Sequence, residues 1–135
     1  MLALVVGASG LAATARGAGQ ALTPSSYRAK AGTICARAST RLSHATRNEI
    51  ADVIVATSRS YLAALRALSP PAALVALHKQ VLAVIAGEVA RLGVLVPQYH
   101  AGQLTLTQIA NDKAGNRLGN EENALWKKLG VTACT

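Results

Sequence analysis

Beyond about residue 23, apolar residues return every three or four positions through most of the chain, the spacing of helices that each bury one face. Thr23 is an N-cap residue type followed by Pro24, and Tyr27, Ala31, Ile34, Cys35, Ala38 and Leu42 then share a face, which predicts a helix over about 24–44. Thr46 and Glu49 have capping-box spacing, and Ile50, Val53, Ile54, Thr57, Tyr61, Leu65 and Leu68 form the face of a second helix. Ser69 with Pro70 and Pro71 ends that helix and starts a third. Its face carries Leu74, Leu77, Val81, Val84, Ile85 and Leu92, with Gly93 as its C-cap. A loop through Val96, Pro97, Gln98, Tyr99, His100 and Gly102 leads to a fourth helix over about 104–129, whose stripe of Ala114, Leu118, Leu125 and Leu129 is thinner. Gly115 and Gly119 inside it predict an ordinary kink or fray there more than a close helix crossing, and Gly130 ends it. Short connections make sequential helices antiparallel, so the pattern predicts an all-α, up-down-up-down four-helix bundle.

Composition narrows this picture. The chain has 135 residues, enough for one core; 51% are hydrophobic but only 3% aromatic, with no Phe, which suits close-packed helices better than a sandwich. Before the helical pattern, Met1 to about Ala15 is apolar and uncharged as far as Arg16. It reads as the core of a signal peptide, although no Lys or Arg stands beside Met1. Ala13-Thr14-Ala15 and Gly19-Gln20-Ala21 offer two cleavage sites, of which the second is preferred. That division gives a signal peptide over 1–21 and a single domain over 22–135. About 15 apolar residues interrupted by Gly7 and Gly10 are too few to span a membrane, and no spanning helix is expected in the mature chain. The same stretch, LALVVGASG, imitates a dinucleotide-binding turn, but no later segment supplies the parallel sheet that motif needs.

Cys35 and Cys134 are the only cysteines, and an even pair in an exported chain predicts a disulfide joining the C-terminal tail to the first helix. The tail then passes the end of the bundle where Trp126 lies, so Trp126 is expected near the bridge. Taken together, Cys35 in the first helix, Pro70-Pro71 at the start of a middle one, and Leu129-Gly130 shortly before Cys134 give the chain a diffuse resemblance to small exported helical proteins of high-GC Gram-positive bacteria, over about residues 24–135. The resemblance implies export and a cysteine-paired helical fold, and brings no catalytic residue. The lipid-attachment motif of the lipoprotein members of such groups is missing before Cys35.

Charge and chemistry then separate the function classes. Fourteen Lys and Arg against six Asp and Glu give a net charge of +8. Lys30, Arg37, Arg41 and His44 share one side of the first helix, with no acidic residue between Thr23 and Asn48. Such a stripe suits an anionic cell-envelope polymer or a protein partner, whereas nucleic acid would call for interleaved aromatics. His44, His78 and His100 belong to different segments without metal-ligand spacing, and no nucleophile or phosphate-loop motif occurs, so neither metal nor cofactor is expected. His78 and Glu88 fall inside the apolar arc of the third helix. His78 is at the level of Tyr61, Glu121 and Glu122, and these four are predicted to meet; Glu88 is predicted to pair with Arg41. The leading expectation is a secreted binding or interaction protein at the envelope without catalytic activity. The alternatives are a carrier for haem or another flat apolar molecule between Tyr61 and His78, or an acid-base enzyme using His78 with Glu121 or Glu122. A cavity between helices two, three and four would favour the alternatives, and a filled core the first reading.

Overall fold

A computed structural model describes residues 20–135; the apolar stretch read as a signal-peptide core and the Gly7–Gly10 turn lie outside the described residues. Among the described residues the fold is all-α, with five helices and no strand. They are α1 (Pro24–Ser43), α2 (Ile50–Arg66), α3 (Val75–His100), α4 (Leu106–Ala110) and α5 (Lys113–Leu129). Two short 3-10 turns, Ala72–Leu74 and Thr132–Cys134, precede α3 and close the chain.

The start of α1 follows the local chemistry. Thr23 is extended, its hydroxyl accepts from the Ser26 amide at 3.1 Å, and Pro24 takes the first position, where its missing N–H costs nothing. The expected capping box of α2 does not form. The Thr46 hydroxyl donates to the Glu49 carboxylate instead of accepting from its backbone, and the helix begins after a turn, at Ile50.

The third helix departs further from the sequence reading. Gly93 is not a cap and 96–100 is not a loop, because α3 runs on through Pro97 to His100. Pro97 lacks the N–H that would bond the Gly93 carbonyl, and the helix continues past that missing bond to His100. The stop comes at Gly102, with φ of 71°, where the Gly102 amide donates to the Tyr99 carbonyl and the Gln103 amide to the Gln98 carbonyl, a Schellman closure. The α5 helix ends in the same way at Gly130, φ 72°, with Val131 donating to Trp126. The Pro70-Pro71 pair initiates a 3-10 turn, and α3 proper begins at Val75.

The predicted fourth helix is two helices. Asn111 ends α4, and Asp112 caps α5 by accepting from the Gly115 amide at 2.8 Å. The same carboxylate takes a two-pronged bond from Arg91 at 2.9 and 2.6 Å, which joins the C-terminal half of α3 to the start of α5. Guanidinium and cap amide together hold Asp112 well below the ordinary carboxylate range, at about 2. The helix then continues unbroken through Gly115 and Gly119, so the break falls upstream of the glycines blamed for it.

Packing is largely sequential: α1 lies on α2, α2 on α3, and α3 on α5, while the closing turn lies on α1. The core gathers Tyr27, Ala31, Leu65, Val81, Ile85, Trp126 and Leu129, all essentially without exposure. Gly32 lets the tail approach, since a Cβ there would stand 3.4 Å from the Ala133 side chain. One turn further along α1, Cys35 is disulfide-bonded to Cys134. Arg28 secures the same end by donating to the Leu129 carbonyl at 2.8 Å, where the α5 dipole is negative. The stretch Ala72–His100 is long and apolar enough to cross a membrane by length and composition, and in this fold it packs between α2 and α5 and carries Glu88 and Arg91.

Candidate functional site

The four residues predicted to meet do not form one group. Tyr61 and Glu122 come together, with the Tyr61 hydroxyl donating to Glu122 Oε1 at 2.8 Å. Glu121, one position away and 100° around α5, is exposed. His78 is buried, 4% exposed, against a different tyrosine. Tyr27 of α1 meets His78 edge-on, with its hydroxyl 2.9 Å from Nδ1. Burial lowers the His78 pKa, so the ring is neutral at neutral pH and the Tyr27 hydroxyl shares a single proton-bridged contact with Nδ1. The absence of a charged neighbour leaves burial as the cause that pushes Tyr27 up to about 12. This pair is closed on itself, and the carrier pocket and the acid-base pairing predicted for His78 have no geometry here.

Around Tyr61 the chemistry is richer. Glu122 Oε1 also accepts from Trp126 Nε1 at 2.8 Å, one turn along α5. On the other side the Tyr61 hydroxyl is 3.3 Å from Cys35 Sγ, which joins the network to the disulfide. Trp126 is thus connected to the bridge through Glu122 and Tyr61. The Glu88 carboxyl faces Glu122 within hydrogen-bond reach, in place of the ion pair predicted with Arg41. Arg41 is exposed on α1, whereas Glu88 Oε1 lies beside Gly119 of α5, 3.6 Å from where a Cβ would stand. Burial, then the Glu122 charge, push Glu88 up to about 8, so at neutral pH it is protonated and donates to Glu122. One carboxylate therefore collects three donors. Burial and the same charge raise the Tyr61 pKa, which keeps its proton in place.

Tyr61 also forms a wall of an opening between α1 and α2, a cleft of about 140 Å³ with Ile34, Ala38 and Ala64 as its apolar lining. Arg37 and Arg41, one turn apart on α1, line it with Ser60 and Thr57. Thr57 is 3% exposed, and its hydroxyl has no hydrogen-bond partner among the described residues. No acidic side chain lines the cleft. Of the predicted basic stripe, Lys30 and His44 are also exposed on α1 but lie away from this opening. A second opening of about 290 Å³ lies where α2, α3 and α4 meet, between Ile54, Val96 and Ile109. It matches the location proposed for a carrier cavity, yet it contains neither Tyr61 nor His78 and no polar side chain that would orient a ligand. Among the described residues no group of His, Cys, Asp and Glu is placed to hold a metal ion.

Tyr27, Thr57 and Trp126 were missed as polar participants because each occupies a position that also reads as plain core. The one available signal was pairing across helices: a buried His or Trp N–H needs a partner, and tyrosine and glutamate are the residues on facing helices able to provide one. Comparison with known proteins finds no matching family profile, no matching curated protein and no matching solved structure.

Proposed function

We propose that the chain is an exported binding protein of the cell envelope, an up-down-up-down bundle of four long helices that takes an anionic envelope polymer on the outer face of α1. The observation that carries this reading is the pairing of charges. The acidic residues are mostly occupied: Asp112 with Arg91, Asp52 with His100 at 2.9 Å, Glu49 with Thr46, and Glu88 with Glu122. Arg37 and Arg41 have no acidic partner among the described residues and stand exposed on one face. Two unpaired guanidinium forks one turn apart suit repeated phosphate or carboxylate groups. The Cys35–Cys134 disulfide fits an oxidising compartment, which supports the extracytoplasmic side of the reading.

The test is a titration of the oxidised protein with a glycerol-phosphate polymer at increasing salt. Affinity should fall steeply as salt screens the contact, and the double variant Arg37→Gln with Arg41→Gln should lose at least about tenfold. Salt-independent binding, or a double variant that binds as the parent does, would reject the assignment.

A further inference from the structure

We infer that the cleft between α1 and α2 binds a small aromatic monocarboxylate, with the ring inside and the carboxylate held at the rim by Arg37 and Arg41. The inference rests on the anion-binding reading of α1 and deepens it by naming a second, smaller ligand class for the same arginines.

Size sets the body of the ligand. A cleft of about 140 Å³ is close to the roughly 150 Å³ apolar cavity that accepts benzene in an engineered core, so one six-membered ring fits and a fused pair does not. The lining sets its character. Ile34, Ala38 and Ala64 supply apolar surface, and Tyr61 presents a ring whose hydroxyl is already committed to Glu122. That bond holds the tyrosine in place as a wall against which a second ring stacks. Charge sets the head group. Arg37 and Arg41 are both exposed, and their planar forks match a carboxylate. No acidic side chain lines the cleft, and the Glu122 carboxylate behind Tyr61 is turned to the Tyr61 hydroxyl and the Trp126 N–H. Burial of the ring and pairing of the head group reinforce one another only in a molecule that has both.

Benzoate is the probe, followed by amide shifts in a two-dimensional NMR titration of the oxidised protein. Saturable shifts should centre on Ala38, Ser60 and Tyr61. Benzyl alcohol, which lacks the charge, and acetate, which lacks the ring, should each bind at least tenfold more weakly. Ala38→Leu fills the cleft and should abolish benzoate binding while leaving the glycerol-phosphate polymer bound; Arg41→Gln should weaken both. Ala64→Leu fills the opposite wall and serves if the first variant is unstable, with the Trp126 indole resonance reporting an intact fold. The ligand series on the unaltered protein decides the matter even if neither variant folds. Shifts that do not saturate, equal affinity for benzyl alcohol, or undiminished benzoate binding by a folded filled variant would overturn the inference. Polymer binding that fails while benzoate still binds would remove the envelope-polymer reading and leave this site standing.

Discussion

Tyr27 and Tyr61 are both tucked between helices with their hydroxyls bonded, but they solve the problem of a buried phenol in opposite ways. Tyr27 meets a neutral imidazole in a fully closed pair between α1 and α3. Tyr61 meets a carboxylate that already serves Trp126 and Glu88, and its other sides face a sulfur of the disulfide and an open cleft. A neutral pair satisfies one donor and one acceptor and then has no further capacity. A carboxylate with several acceptor sites gathers groups from α2, α3 and α5, so the Tyr61 side is both more connected and more dependent on one residue. The polar groups that border the surface cleft are therefore on the Tyr61 side of the molecule, and the Tyr27–His78 pair is enclosed in the core.

The largest expected difference between the two follows from cutting the bridge. The disulfide spans 99 positions, and closing a loop of about that length stabilises a fold by up to about 4–5 kcal/mol in the chain-entropy account. Reduction should lower the urea midpoint accordingly and shift Trp126 emission, because Cys35 touches Tyr61, which shares Glu122 with Trp126. The His78 ring resonances should move little. If they move as much as the Trp126 indole, the two regions are not separate in the way described.

Removing Glu122 comes next. In Glu122→Ala the Tyr61 hydroxyl and the Trp126 N–H both lose their acceptor, at about 1–3 kcal/mol each, partly offset because Glu88, no longer held neutral by the Glu122 charge, ionises more readily. A net loss of about 2–4 kcal/mol in a urea melt is expected, and a loss below about 1 would show that the network contributes little. On the other side, His78→Ala leaves only the Tyr27 hydroxyl unpaired and should cost about 1–3 kcal/mol, with no change in polymer or benzoate binding. Loss of ligand binding in that variant, with an unchanged melt, would reverse the roles assigned to the two tyrosines.

How far these features were readable in the chain depends on the range of the forces involved. The Thr23-Pro24 start, the Gly130 stop and the cysteine pair are local or arithmetic signals, and all are present in the structure. Gly93 reads as the C-cap of the third helix and Pro97 as part of a loop, whereas the actual stop needs a backbone in the left-handed region, which Gly102 adopts. The division at Asp112 was legible in principle, since Asp three residues before Gly115 is a usable cap; what fixes it is Arg91 from another helix. At the site, helical phase brought Tyr61 and Glu122 to the same level correctly. The partner of Glu88 was misjudged because opposite charges were assumed to seek each other. Burial neutralised the carboxyl instead and made a second glutamate an acceptable neighbour.

The two regions should also respond to pH in opposite directions. Glu88 titrates at about 8 in the fold against an ordinary value of 4.5, so across that window the folded state holds more protons and stability falls as pH rises. His78 is shifted down from 6.5, so the unfolded state holds more protons below that value, and stability falls as pH drops toward the folded pKa. Glu88→Gln keeps a donor toward Glu122 without a titrating proton. It should be more stable than the parent at pH 8, by about 1–3 kcal/mol, and little different at pH 5. Melts of the two proteins that stay parallel from pH 5 to 8 would contradict the carboxyl pairing.

The smallest effect isolates the Glu88 carboxyl from everything else. A Cβ at Gly119 would stand 3.6 Å from Glu88 Oε1, an ordinary contact, so Gly119→Ala fits without displacing α3. Replacing glycine inside α5 should add about 0.5–1 kcal/mol through the entropy of the unfolded chain. The added methyl also takes water away from the carboxyl, and burial is the leading cause of its raised pKa, so the Glu88 midpoint should move further up. The Tyr27–His78 pair is outside its reach, and the low-pH arm of the stability curve should keep its shape. Gly93→Ala is the comparison: it lies in a helix interior with nothing within 4 Å, and should give the same gain in stability with no change in the Glu88 midpoint. A midpoint that falls in Gly119→Ala, or that moves equally in Gly93→Ala, would mean that the proximity of Gly119 to Glu88 does not govern the titration.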